Sequence, residues 1–194
     1  MLPLLISALL SRRFLSKPLA GSYRFLRAYL WLVLLVELLA LLWKYKLYNA
    51  GPVVYSQNNI WIYNLSLIPQ YLLFSFFYYR VIDSLRYRKF ILVASAGLAL
   101  FGIFNIVFIQ QLFVLNYYTA IIANVLFVLW SVQYFLELNQ REPPGRLDTN
   151  PVVWISVGNL IFHSGSLPYL VALGFPQLYT SAHFLAFFYV YTAL

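Results

Sequence analysis

The chain has 194 residues, of which 63% are hydrophobic, 20% aromatic and only 9% charged, with a net charge of +8 and no cysteine. A soluble domain carries about a quarter charged residues, so this balance excludes an ordinary water-soluble fold. The absence of cysteine excludes disulfides, thiolate metal sites and cysteine nucleophiles.

Apolar runs follow one another along the whole chain. The first, residues 2–10, is too short to cross about 30 Å of hydrocarbon at about 1.5 Å per residue. It reads as a short first span or one whose start is truncated. It has no basic region before it and no small-residue cleavage site, so it makes a poor secretory signal. The second run covers 28–48 and ends at the turn signal Asn49-Ala50-Gly51-Pro52. The third and fourth cover 60–79 and 90–109, the fifth 117–136. The polar loop 137–150, broken by Pro143-Pro144-Gly145, leads to the sixth run, 151–173, with Asn150-Pro151 as its cap and first turn. The seventh, 178–194, follows Phe175-Pro176-Gln177.

Helix is the only spanning structure these runs fit. Backbone groups in lipid must bond within the segment, and barrel strands would be shorter and alternate in polarity. The expectation is an all-α bundle of seven transmembrane helices forming a single domain over 1–194.

All thirteen Lys and Arg lie in or beside the gaps between runs. The gaps after runs one, three and five hold five, four and two of them, and those after runs two, four and six hold two, none and none. Cytoplasmic loops carry the excess of Lys and Arg. The count therefore predicts an N-terminus outside and a C-terminus inside a bacterial inner membrane. Because the cations are spread through short loops, the net positive charge is not read as nucleic-acid binding. The partner is the bilayer, with a cytoplasmic or membrane signalling protein as a second.

One acid, Glu37, stands inside a run. An ionisable group there is either functional or a protonated carboxyl that fixes helix packing. The sixth run places Ser156, Asn159, His163 and Ser166 at spacings that share one helical face. Asn124 and Ser131 do the same in the fifth run, and Asn64, Gln70, Ser75, Asn105 and His183 add polar groups elsewhere. These residues either hydrogen-bond across the bundle or form a polar cavity for a ligand or proton, lined by Glu37, Asn124, Ser156, Asn159, His163, Ser166 and His183. No spacing among the His and Glu residues sets out a metal site, and no cofactor is expected. Gly97, Gly102, Gly158 and Gly165 offer close backbone approach, without a GxxxG pair. Nucleophile-elbow, P-loop and zincin patterns are absent, so the chain does not read as an enzyme.

Pro69-Gln70 and Pro176-Gln177 resemble the paired dipeptides of PQ-loop transporters, but they fall at non-equivalent positions. The last run has no lysine, which argues against a retinal pigment. The stretches NNIWIYNLSLIPQYLLFSFFYY (58–79), SVQYFLELNQ (131–140) and NPVVWISVGNLIFHSGSL (150–167) resemble a group of small multi-helix membrane proteins of Bacteroidota-type bacteria. That group is similar to the membrane input modules associated with sensor histidine kinases. The resemblance implies a membrane-embedded sensor or accessory module. The alternative is a small-solute or proton transporter using Glu37 and the polar face of the sixth run.

Overall fold

The structure is a computed structural model and describes residues 20–44, 58–140 and 150–174. Most of these residues are helical, with no strand among them. Five helices appear in chain order: α1 (Ala20–Leu42), α2 (Ile60–Val81), α3 (Leu85–Phe104), α4 (Tyr117–Asn139) and α5 (Pro151–Leu173). A π-helical turn, Asn105–Ile109, continues α3. The first and seventh runs, residues 2–10 and 178–194, lie outside the described residues, as does the end of the second run after Lys44.

Four segments are long and apolar enough to cross a membrane: Gly21–Leu42, Ile60–Val81, Leu85–Ile109 and Tyr117–Asn139. The fifth helix has 23 residues, about 34 Å at 1.5 Å each. It is not among the four because Ser156, Asn159, His163, Ser164 and Ser166 dilute its hydropathy. Burial supplies the complementary sign of a lipid solvent. Ser131, Ser156 and Asn105 are fully buried, whereas Ile161, Phe162, Val107 and Phe108 are more than half exposed. A soluble protein sorts its residues the other way.

The chain divides into two compact units, one of Met1–Val81 with Leu85–Asn116, the other of Ile82–Ser84 with Tyr117–Leu194. In the first, α1 packs against α2, and α2 against α3. Ring pairs fix α1 and α2 antiparallel: Tyr23 with Phe77 (6.4 Å), Tyr29 with Phe74 (5.0 Å) and Trp43 with Trp61 (5.2 Å, edge-on). Val36, Ala40 and Ile62 form a small core beside the tryptophan pair. Both α1 and α3 begin before their apolar runs, at Ala20 and Leu85, so Arg24, Arg27, Arg86, Arg88 and Lys89 are helical. Their long stems can lie along the apolar flank while the charges reach the interface.

In the second unit α4 and α5 form an antiparallel pair. Asn150 caps α5 by accepting the Val152 N–H at 3.0 Å, with Pro151 in the first turn. Its amide also donates to the Tyr134 hydroxyl at 3.1 Å. Three of the glycines do not serve close approach among the described residues. A Cβ added at Gly97, Gly158 or Gly165 would meet no described atom within 4 Å.

Candidate functional site

The polar stripe of α5 meets the polar stripe of α4. Asn124 is the hub: its amide donates to the Ala120 carbonyl at 2.7 Å. Its oxygen lies 2.6 Å from both the Ser166 hydroxyl and His163 Nδ1. A backbone carbonyl only accepts, so the Asn124 NH2 must face Ala120 and the oxygen must face the histidine. An amide oxygen also only accepts, so His163 Nδ1 carries the hydrogen. In the neutral ring Nε2 is then the acceptor. The imidazole packs between Phe127 (4.8 Å) and the edge of Phe162 (5.0 Å).

A turn away, Asn159 donates to the Ser131 hydroxyl at 2.6 Å and to the Phe127 carbonyl at 2.9 Å. Ser131 donates in turn to the same carbonyl at 3.1 Å. Ser156 is fully buried on the same stripe. The Ser166 hydroxyl approaches Asn124 and the His163 backbone carbonyl, at 2.6 and 3.1 Å, so it is not arranged as a nucleophile on the imidazole. The seam thus brings Asn124, Asn159, His163 and Ser166 into one hydrogen-bonded strip.

Glu37 is not part of that strip. It belongs to the first unit, half-buried and nearer the Leu42 end of α1 than its centre, where it accepts the Tyr63 hydroxyl at 3.2 Å. Its apolar run begins at Ala28 whereas the helix begins at Ala20, so Glu37 stands further from the helix start than the run alone suggests. His183 lies outside the described residues. Among the described residues no three His, Asp or Glu side chains gather as metal donors would.

Two constellations go beyond the sequence analysis, which named Asn64 and Asn105 as polar groups without assigning their partners. Asn64 on α2 donates to the carbonyls of Leu112 and Val114, both at 2.7 Å, and accepts the Asn116 N–H at 3.1 Å. Asn105 joins it by donating to Gln110 at 2.8 Å and to Asn116. Asn58 donates to Phe113 at 3.4 Å. Together these carboxamides pin the loop that leaves the π-helical turn. In the second unit, Glu137 accepts the backbone N–H groups of Asp83 (2.8 Å) and Ser84 (3.3 Å) and the Gln133 amide (3.2 Å). The available signal was amide residues at run ends, whose partners are backbone atoms far along the chain.

The chain matches no protein family, no curated protein and no solved structure.

Proposed function

We propose that this chain is a non-enzymatic, multi-pass protein of the bacterial inner membrane that serves as a membrane-embedded sensor or accessory module. In this reading it has seven crossings, with its N-terminus outside, its C-terminus inside and a signalling partner at the cytoplasmic end. The likeness of its 58–79, 131–140 and 150–167 stretches to kinase-associated input modules supports the role.

The observation that carries the reading is the α4–α5 seam. Asn124, Ser131, Asn159, His163 and Ser166 all have partners within the protein. Polar groups that bond one another across two helices suit a packed element with alternative pairings better than a wet transport path. The sidedness has support as well. Glu137 ties the end of α4 to the turn 82–84, and Asn64 ties the start of α2 to the loop 112–116. Each tie thus joins two gaps alike in their Lys and Arg content.

The second reading, a proton or small-solute transporter, draws on Glu37, a carboxyl inside a span with a hydroxyl partner. Single cysteines separate the two, because the chain has none of its own. With Asn159→Cys and Ser166→Cys in intact cells, a sensor keeps both thiols protected from an impermeant maleimide. Labelling of either, together with loss of flux in Glu37→Gln, would replace the sensor by the transporter.

A further inference from the structure

One end of the first unit carries an excess of positive charge that the sequence divides between two separate gaps. The antiparallel ring pairs bring the start of α1, with Arg24 and Arg27, to the end of α2 that bears Arg80. Three residues after Val81, α3 opens with Arg86, Arg88 and Lys89 and has no acid in its first turn. Cations there oppose the helix dipole, whose N-terminal end favours an anion. The acid among the described residues of this unit, Glu37, lies towards the other end of α1. The intervening turn carries Asp83, and the Glu137 carboxylate accepts the backbone N–H groups of Asp83 and Ser84, so two acids stand against six cations.

Arg88 is the fixed element. Its guanidinium lies 4.5 Å from the centre of the Tyr79 ring, and its Nε is buried with no hydrogen-bond partner among the described residues. Stacking leaves the planar fork pre-organised for a phosphate or carboxylate.

The neighbouring side chains say what anion is presented there. The apolar span Leu85–Ile109 begins in this same turn. Leu85 is 72% exposed, Tyr87 is exposed between Arg86 and Arg88, and Phe90 is exposed directly after Lys89. Apolar side chains open to lipid, interleaved with cations, fix the turn at the boundary between acyl chains and headgroups. A soluble anion would require no such apolar flank.

We propose that this end of the first unit is a binding surface for anionic phospholipids, whose phosphates seat against Arg86, Arg88 and Lys89 with Arg24, Arg27 and Arg80 around them. Clusters of four to eight Lys and Arg beside a membrane helix attract anionic lipid at about 1 kcal/mol per charge, roughly fivefold in affinity each. The proposal rests on the bilayer reading and not on the sensor role. Flotation with phosphatidylcholine vesicles tests the bilayer reading separately.

The test is native mass spectrometry of the delipidated full chain, titrated with phosphatidylglycerol and with phosphatidylcholine. The wild type should prefer phosphatidylglycerol by at least about tenfold, and Arg86→Gln/Arg88→Gln/Lys89→Gln should weaken that binding by about a hundredfold. Arg88→Lys, which keeps the charge and loses the planar fork, should fall between. Asp83→Asn, which removes one countercharge, should tighten binding about fivefold and serves where the triple variant fails to fold. Equal binding of the two lipids, an unchanged triple variant or no gain in Asp83→Asn would overturn the proposal. So would displacement of the lipid by inorganic phosphate at matched concentration, which would mark a site for free anions. Exclusive retention of a soluble protein by the same residues, with no lipid preference, would reassign the surface to a protein partner.

Discussion

Asn64 accepts the backbone N–H of Asn116 through the same carboxamide that donates to the carbonyls of Leu112 and Val114. One side chain on α2 thus supplies three hydrogen bonds to a loop about fifty residues further on, much as a neighbouring strand would. The loop needs them. It leaves a π-helical turn in which the Gln110 N–H reaches back five residues to Asn105, at 2.8 Å, and it contains no regular structure of its own. Asn64 and Asn116 are each at most 2% exposed, so water does not substitute.

Asn64→Leu is therefore expected to destabilise the protein by about 2 kcal/mol, because it leaves two part-buried carbonyls and the buried Asn116 N–H without their partner. Asn64→Asp keeps the acceptor and removes both donors, and it should be no better. Thermal denaturation of both variants in detergent checks this; a shift as small as that of a lipid-facing change such as Leu65→Ala would show that the loop is held by something else.

The α4–α5 seam predicts coupling rather than simple additivity. Asn124 and His163 share a bond of 2.6 Å across two helices, and polar pairs in membranes contribute about 0.6 kcal/mol on average and up to about 2. Asn124→Ala, His163→Ala and the double variant should show an interaction energy of about 1 kcal/mol in a double-mutant cycle. Asn124→Ala with Trp154→Ala should be additive, since Trp154 lies on the exposed face of α5. Additivity in both cycles would remove the seam as a coupled element.

Helix type and the α5 stripe were legible in the sequence for a physical reason. Lipid forces backbone bonds to close within each segment, and a period of 3.6 puts Ser156, Asn159, His163 and Ser166 on one face whatever surrounds them. Partners were not legible. Nothing in the spacing of Asn64 points to the carbonyls of residues 112 and 114, because backbone acceptors leave no mark on residue identity. Glu37 was legible as an acid within a span, but the start of its helix was not. Apolarity marks where the hydrocarbon begins, whereas α1 continues beyond that boundary through Arg24 and Arg27. Gly97, Gly158 and Gly165 misled for a related reason: small size permits close approach, but only a facing helix makes use of it.

The Glu37–Tyr63 pair separates charge from hydrogen bonding. Glu37→Gln keeps an oxygen that can accept the Tyr63 hydroxyl, so stability should change by less than about 0.5 kcal/mol. Tyr63→Phe removes the donor and should cost about 1 kcal/mol. Equilibrium unfolding in mixed micelles measures both. A larger loss for Glu37→Gln than for Tyr63→Phe would mean that the carboxylate serves something other than this bond.

Gln111 has φ of 61°, in the left-handed region where a side chain crowds its own backbone and glycine does not. Its neighbours explain why the strain is tolerated: Asn64 and Asn58 fix the carbonyls of the next three residues, and Asn105 holds Gln110. The side chain of Gln111 is exposed, so replacing it removes no buried contact. Gln111→Gly should therefore stabilise the folded state by up to about 1 kcal/mol, offset in part by the greater freedom of glycine in the unfolded chain. Gln111→Val, branched at Cβ, should destabilise by about as much or more. The two variants shift the denaturation midpoint in opposite directions if the left-handed turn exists; a shift of the same sign in both would show that residue 111 does not adopt it.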